Sequence, residues 1–305
     1  MKHLTALLHK LPALTEDQSW GAGVSGGLDS MVMAEALRLS HLPFRVLHFN
    51  HQWRGEESYQ DAALVRQWCH DHRIACSTAT WRKPVHTEAA ARRARMVFFH
   101  KQCKRYSLAG VILAHHQDDL AETALLQILR GAGAAGLDSL HADRMVDGLR
   151  LLRPFLHVRR MDLLRIARSS GLSWREDSSN CEPTHLRNRI RHRLLPYLNK
   201  LSGRDVTPLL ARTADILSLE NDYWDQQLPH PAPEKLSVRL LQTLHPAHQR
   251  RLIRHWLLTH APASPSFEEI ESIRGLLQIA SPARVNMQKN HYCRRRAGFL
   301  FLCAP

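Results

Sequence analysis

The 305-residue sequence has six cysteines, at positions 69, 76, 103, 181, 293 and 303, and no two stand in C-x-x-C spacing. A zinc ribbon, a redox dithiol and the usual iron–sulfur runs therefore lack their ligand pattern. No stretch of about 18 apolar residues occurs, so no segment is suited to crossing a bilayer. The opening residues, Met1-Lys2-His3-Leu4-Thr5-Ala6-Leu7-Leu8, hold one lysine and too short an apolar run for a signal peptide. A reduced, cytoplasmic protein without membrane association is the expectation. Two common phosphate loops are excluded as well: G-x-x-x-x-G-K-S/T does not occur, and no G-x-G-x-x-G opens the helix that follows the first strand. Internal repeats and low-complexity tracts are also lacking.

What the sequence does have is charge of one sign, unevenly spread. Its formal net charge is +14. Residues 1–150 hold 18 Lys and Arg against 15 Asp and Glu, whereas residues 151–305 hold 24 against 13. A basic second half behind a nearly neutral first half points to a polyanionic partner engaged mainly by the C-terminal part, or else to a solvated arginine-rich surface. Charge alone does not choose between them.

The first half alternates strand and helix signals. Trp20 to Val24 is short and apolar, Phe44 to Phe49 and Ile74 to Trp81 are rich in β-branched or aromatic residues, and Gly110 to Ala114 follows the same pattern. Between them lie helical patterns after Ser30, over Glu57 to Asp71, from an N-cap at Thr87, and after Asp119 to Arg130. This order predicts a doubly wound, mostly parallel α/β sheet with ligands beyond the carboxyl ends of its strands. Gly131 to Gly136 reads as a flexible loop, Leu151 to Leu156 re-enters structure, and Arg159 to Ser170 reads as a helix ended by Gly171. Trp174 to Asn188 is polar and irregular. Beyond Pro196 the patterns are mainly helical, notably Val206 to Gln227 and Pro246 to His260, with loops at Pro229 to Pro233 and Ala261 to Pro265. A domain boundary near residue 200 is expected, giving domains 1–200 and 201–305.

Ser25-Gly26-Gly27-Leu28-Asp29-Ser30 joins the first strand to the first of these helices. Strand, glycine turn and helix N-terminus together make an anion site, because the first helical amides lack internal partners and the dipole favours negative charge. Gly26 and Gly27 let the backbone approach a ligand, and Ser25 and Ser30 can donate hydrogen bonds. Asp29 beside a phosphate is repulsive unless a cation intervenes, which suggests a pyrophosphate with Mg²⁺. An ordinary turn capped by serine or aspartate is the plainer alternative.

His116-Gln117-Asp118-Asp119-Leu120-Ala121-Glu122-Thr123 follows the fourth strand, with Asp119 and Glu122 on one helical face. Paired carboxylates there can hold Mg²⁺, position an amine or orient a base, or merely suit a helix N-terminus. His51 and Arg54 come just past the second strand and face the same crevice. Glu88, Arg92 and Arg95 form either helical ion pairs, the safer reading, or an arginine wall over a nucleotide. Arg187-Asn188-Arg189-Ile190-Arg191-His192 invites a phosphate backbone or forms a solvated face, and Arg294-Arg295-Arg296 repeats that ambiguity.

Taken in order, SGGLDS, HFNHQWRGEES, EAAARRARMVFF, HHQDDLAETALLQILRGAG, LRPFL, EDSSN and RNRIRHRLLPYL resemble the tRNA(Ile)-lysidine synthetase family of PP-loop ATP pyrophosphatases. The resemblance covers about residues 19–200. The remainder is similar, more weakly, to that family's helical substrate-binding domain, and Met96 stands where the family usually has tyrosine. The resemblance implies that ATP binds with its phosphates on Ser25 to Ser30 and with Arg92, and Mg²⁺ near Asp29. It further implies a tRNA(Ile) with a CAU anticodon whose cytidine 34 is adenylated at the C2 oxygen and then attacked by free L-lysine. Asp29, Asp119, Glu122, His116 and Asp118 would be catalytic, and His51, Arg54, Arg187, Arg189 and Arg191 would contact substrate. A homodimer is compatible with this. The nearest rival, a tRNA 2-thiocytidine synthetase, would require paired C-x-x-C cysteines. An NAD synthetase leaves the basic second half unexplained, and a silent RNA-binding relative leaves no reason for Asp29 and Asp119 together.

Overall fold

The computed structural model describes residues 1–9, 11, 14–53, 55–82, 85, 87–138, 140–176, 186–261, 263–278 and 284–304. The chain packs as two units, Met1–Ser218 and Leu219–Pro305.

The first unit is built on a six-stranded sheet: β1 (Trp20–Gly23), β2 (Phe44–Asn50), β3 (Cys76–Thr80), β4 (Val111–Ile112), β5 (Asp143–Val146) and β6 (Leu149–Leu152). Their spatial order is β3-β2-β1-β4-β6-β5, with every neighbouring pair parallel except β5 and β6. Strand alternation divides the core cleanly. Ala22, Val46, Ile112 and Leu152 face one apolar cluster, while Leu47, Val111 and Leu151 face another. The first cluster is filled by α1 (Lys2–His9), α2 (Leu28–Leu39), α3 (Glu56–Asp71) and α7 (Arg160–Ser169); the second by Phe98, Phe99 and Cys103 of α4 (Glu88–Tyr106). Met96, in the tyrosine position, packs against that second cluster. Sequential strands pair outward from β1 to β3, after which the chain crosses back to place β4 on the other side of β1. That reversal opens a crevice between the carboxyl ends of β1 and β4, where doubly wound sheets bind ligands.

Helix α5 (Gln117–Leu129) follows β4 and packs through Leu120, Ala124 and Leu125 against Ala211 and Ala214 of α10 (Thr207–Gln226) and against Ile190 and Leu195. Between α8 (Leu186–Arg189) and α9 (Leu195–Ser202), residues Ile190–Leu194 form a π-helical turn. The glycine-rich stretch after α5 is not wholly a loop: Ala134–Leu137 forms the short helix α6, for its alanines suit a helical turn once Gly133 has broken the preceding one. The β5–β6 hairpin was not expected either.

The second unit joins α11 (Val238–Thr243), α12 (Pro246–His260) and α13 (Phe267–Gly275) to a four-stranded antiparallel sheet. The sheet, β7 (Leu236–Ser237), β8 (Arg284–Asn286), β9 (Tyr292–Arg296) and β10 (Phe299–Cys303), has the order β7-β10-β9-β8 and adds to the expected helices. Trp256, wholly buried with Leu241, Ile253, Ile273, Cys293 and Leu300, centres its core. Within the Arg294–Arg296 run, Arg295 caps the end of α13, donating to the carbonyls of Leu276 and Leu277 at 3.0 and 3.2 Å. No helix among the described residues is long and apolar enough to cross a membrane.

The turn entering α2 depends on one glycine. Gly26 has φ +95°, and a Cβ there would lie 3.3 Å from the Asp61 carbonyl oxygen. Gly27 has φ −78° and leaves ordinary room, its nearest neighbour being Ser25 Oγ at 3.5 Å. Gly26→Ala is therefore expected to destabilise the protein by about 1–2 kcal/mol or more from backbone strain. Gly27→Ala should stay within about 0.5 kcal/mol of the parent. Thermal melting of the two variants checks the contrast.

Candidate active site

A cavity of about 570 Å³ occupies the crevice between β1 and β4. Its lining includes Ser25, Gly27, Leu28, Asp29 and Ser30 from the first turn, His115, His116 and Asp119 from the turn after β4, and Arg95, Arg160 and Arg191. Sequence positions nearly 170 residues apart are thus brought to one place.

The loop after β1 is braced from within. Ser30 Oγ donates to the Gly27 carbonyl at 2.9 Å, accepts from the Ser25 amide at 3.1 Å, and lies 3.1 Å from Ser25 Oγ. From outside, the Arg175 amide donates to the Gly26 carbonyl at 3.0 Å while the Arg175 side chain holds Asp61 at 2.9 Å. The serines thereby shape the loop, and no side chain caps α2, whose N-cap is Gly27. Ser25 Oγ accepts the Gly27 amide at 3.3 Å, and among the described residues no side chain accepts from the first amides of α2 itself, whose Leu28, Asp29 and Ser30 line the cavity. By contrast Thr87 caps α4 through the Ala90 amide at 3.3 Å, as its place in the sequence suggested.

Asp29 supplies the opposite sign at the same turn. Its Oδ2 lies 3.6 Å from His116 Nε2 and 3.8 Å from Arg160 Nε, and its Oδ1 is buried without a hydrogen-bond partner. Such an orphaned carboxylate oxygen beside an anion-binding helix end fits a hard cation. Among the described residues no group of three or more His, Cys, Asp or Glu side chains forms a metal cage. Mg²⁺ does not demand one, because it commonly takes one or two carboxylates and completes its shell with phosphate oxygens and water.

His116 is both the N-cap of α5 and a member of the site. Its Nδ1 accepts from the Asp119 amide at 3.2 Å, and Asp119 Oδ2 accepts the His116 amide at 3.1 Å, closing a capping box. That arrangement places the proton of the neutral ring on Nε2, 3.5 Å from Asp119 Oδ2. Burial pushes the His116 pKa down, but Asp119, Asp29 and Asp118 together prevail and hold it above its usual value. Asp119 is itself opposed by burial, yet His116, His115, Arg187 and Arg191 bring it down to about 2. Asp118 turns to α7, where Arg159 holds both its oxygens at 3.2 Å and the Arg160 amide donates at 2.9 Å. Its geometry is that of a brace between α5 and α7.

Glu122 is almost fully buried and accepts from Arg191 Nε at 2.5 Å and Nη2 at 2.9 Å, and from Arg187 Nε at 3.0 Å. The same two arginines reach Asp119 Oδ1 at 3.2 and 3.3 Å. The shared face expected of Asp119 and Glu122 is present, and it faces arginine. The basic run therefore splits: Arg187 and Arg191 turn inward, whereas exposed Arg189 lies with Arg193, Leu129 and Tyr197 around a separate surface groove. His51 packs against Phe49 and Trp53, at ring-centroid distances of 4.8 and 5.7 Å. Burial, then Arg95 and His48, hold its pKa at about 4. Arg54 and the EDSSN residues Asp177–Asn180 lie outside the described residues. Arg92 is exposed on α4, and among the described residues Glu88 pairs with neither Arg92 nor Arg95, so the helical ion pairs are not formed. Sequence reasoning named Arg95 and passed over Arg153, His115 and Arg160. Arg95 entered only through the arginine-wall alternative.

Comparison with known proteins gives the same picture. Residues 1–198 match the PP-loop domain family, and residues 236–301 match the TilS substrate binding domain. The tRNA(Ile)-lysidine synthase of Gloeobacter violaceus is 35% identical over 276 residues, which cover 86% of this chain and 84% of that protein. The protein of that name from Solibacter usitatus is 35% identical, covering 76% of this chain and 54% of its own length; that from Bacillus licheniformis is 31% identical, covering 89% and 62%. The chain thus spans between about half and two thirds of those two relatives. Among solved structures, the U34-tRNA thiolase of Methanococcus maripaludis superposes with a TM-score of 0.59 at 15% identity, covering 71% of this chain and 78% of that one, a likeness of fold. With a PP-loop turn, an acid–histidine helix and an inward-facing arginine pair at the switch point of the sheet, the chain belongs to the tRNA(Ile)-lysidine synthase family of PP-loop proteins.

Proposed function

We propose that this protein uses ATP to join the ε-amine of L-lysine to C2 of cytidine 34 in a CAU-anticodon isoleucine tRNA, releasing AMP and pyrophosphate. The observation that carries this reading is the uncapped N-terminus of α2 sharing one cavity with the Asp29–His116–Asp119 cluster. An anion site and an acid–base cluster on the same cavity suit a ligase that first activates a carbonyl oxygen and then directs an amine to it. Membership of the family, and the basic second half, favour tRNA as the polyanion.

The roles follow from the chemistry of each group. The α2 amides, with Arg160 and Arg191 on the cavity wall, would hold the phosphates and the charge that develops as pyrophosphate leaves. Asp29 would hold Mg²⁺, which supplies Lewis-acid neutralisation of phosphate charge. A splayed-out base is the form in which proteins read single-stranded RNA, and the cavity mouth would receive it. Lysine attacks only as the free amine, so a group must take its proton. A carboxylate held at about pKa 2 is a weak proton acceptor, whereas an imidazole held above its usual value is a stronger one. We therefore assign proton acceptance to His116 and its orientation to Asp119, with Glu122 keeping Arg187 and Arg191 in place. The C-terminal unit would engage the rest of the tRNA.

Incubation with ATP, Mg²⁺, labelled lysine and tRNA(Ile) of CAU anticodon should place label in nucleoside 34, and a CAU methionine tRNA should remain unlabelled. Absence of label defeats the function, and equal labelling of both defeats the specificity. Asp29→Ala should abolish pyrophosphate release while tRNA binding, followed by gel shift, stays within about threefold, since surface phosphate contacts supply most of that affinity. The acidic limb of the single-turnover rate profile should lie above pH 6.5, because His116 must be neutral and its pKa is raised. Asp119→Asn removes a raising charge, so that limb should move to lower pH; a limb that stays put excludes His116 as the titrating base.

A further inference from the structure

The segment that follows α7 runs beside the loop between β1 and α2, and one of its residues grips that loop in two ways. Leu172 and Trp174 pack against the same apolar cluster as α2 and α3, which fixes the path of the backbone. Arg175 then forms a single parallel bridge with Gly27, its amide donating to the Gly26 carbonyl at 3.0 Å. Its side chain reaches to α3, where Nε donates to Asp61 Oδ1 at 2.9 Å. Asp61 is 7% exposed, and α3 is also the wall on which Gly26 rests. A Cβ on Gly26 would lie 3.3 Å from the Asp61 carbonyl oxygen and 3.5 Å from Val65 Cγ2. Backbone and side chain of one arginine therefore tie the loop to α3.

What this grip holds is the peptide joining Gly26 to Gly27. A trans peptide is planar, so its carbonyl and its N–H point in opposite directions and turn together. Here the carbonyl accepts the Arg175 amide and the N–H donates to Ser25 Oγ at 3.3 Å, so both ends are engaged. With a glycine on each side, and φ +95° at Gly26, the chain itself does little to oppose rotation of this peptide. Rotation would present a carbonyl oxygen where an N–H now stands, on a stretch whose Ser25 and Gly27 line the cavity. An oxygen there repels the anion that the neighbouring α2 amides attract. We propose that Arg175 is a positioning residue: through Gly26 and Asp61 it holds the loop in its anion-binding orientation, and it acts on the bound anion through that loop. That the anion is the triphosphate of ATP rests on the function proposed above.

Calorimetric titration of the full chain with ATP and Mg²⁺, and separately with adenosine, reads the loop against the rest of the nucleotide site. Arg175→Ala should weaken ATP about tenfold, the size of one charge-assisted hydrogen bond, and leave adenosine within about twofold. Arg175→Lys, which keeps a charge beside Asp61, should recover part of the loss. Asp61→Ala should weaken ATP to a similar extent. The double variant should be no weaker than the poorer single one, because the two residues act as a unit. Should Arg175→Ala not fold, Arg175→Gln, which keeps the stem and an N–H donor, should show the same selective loss at about threefold. Equal loss of ATP and adenosine would overturn the proposal by making the pair merely structural. Tighter ATP binding by Asp61→Ala would overturn it by showing an arginine that meets phosphate directly. Unchanged ATP affinity in Arg175→Ala, or a parent that binds no ATP, would overturn it as well. A protein that shows the selective loss and labels no nucleoside 34 loses the proposed function and keeps the positioning residue.

Discussion

Glu122 is almost completely withdrawn from water, and Arg187 and Arg191 from a distant part of the chain both bind it. A carboxylate so placed is stable only while its partners stay: the desolvation penalty is fixed by burial, and removal of one arginine would leave it uncompensated. Arg187 of α8 and Arg191 of the π-helical turn, four residues apart, meet the same acid. This contact joins α5 to the segment that begins α8, and it orders one wall of the cavity. It also keeps Asp119 charged, because the same guanidiniums lie against it. Arg187 and Arg191 both spend donors on these two acids.

The cavity is consequently bipolar. Uncapped α2 amides and Arg95, Arg160 and Arg191 bring positive charge to its lining, and Asp29 and Asp119 bring negative charge. A protein that sought only stability would cap α2, pair Asp29 Oδ1 and replace Arg95 with an apolar residue. The three unsatisfied features lie on one cavity, at the point where the sheet reverses direction. A ligand bound there would offset their cost.

Local chemistry was the most legible part of the sequence. Strand alternation, the Thr87 cap, the SGGLDS turn and the shared face of Asp119 and Glu122 all depend on neighbours within a few residues, and each is found in the structure. Helix α12 begins and ends where its proline and apolar spacing placed it. What sequence could not display were pairings across long separations. Arg187 meets Glu122 over 65 residues and Arg159 meets Asp118 over 41, and nothing local distinguishes these arginines from exposed Arg189. The C-terminal sheet escaped notice for a different reason. β7 has two residues and β8 three, too few for a period of two to register, and β9 carries three consecutive arginines that read as surface.

His116 shows why the site resists separation into scaffold and chemistry. The bond from the Asp119 amide to Nδ1 requires a lone pair there, so it favours the neutral ring. Asp29 and Asp119 face Nε2 and favour the charged ring, and the second influence is the stronger. Protonation therefore gives up the α5 cap while it strengthens two carboxylate contacts. A histidine that balances a cap against two acids trades one contact for the others when it changes charge. A serine or threonine cap would have secured α5 more simply and left the cavity without a titrating group. Placing the cap on an imidazole makes the start of α5 responsive to proton transfer in the cavity, which links the local rule for starting a helix to the chemistry proposed for the site.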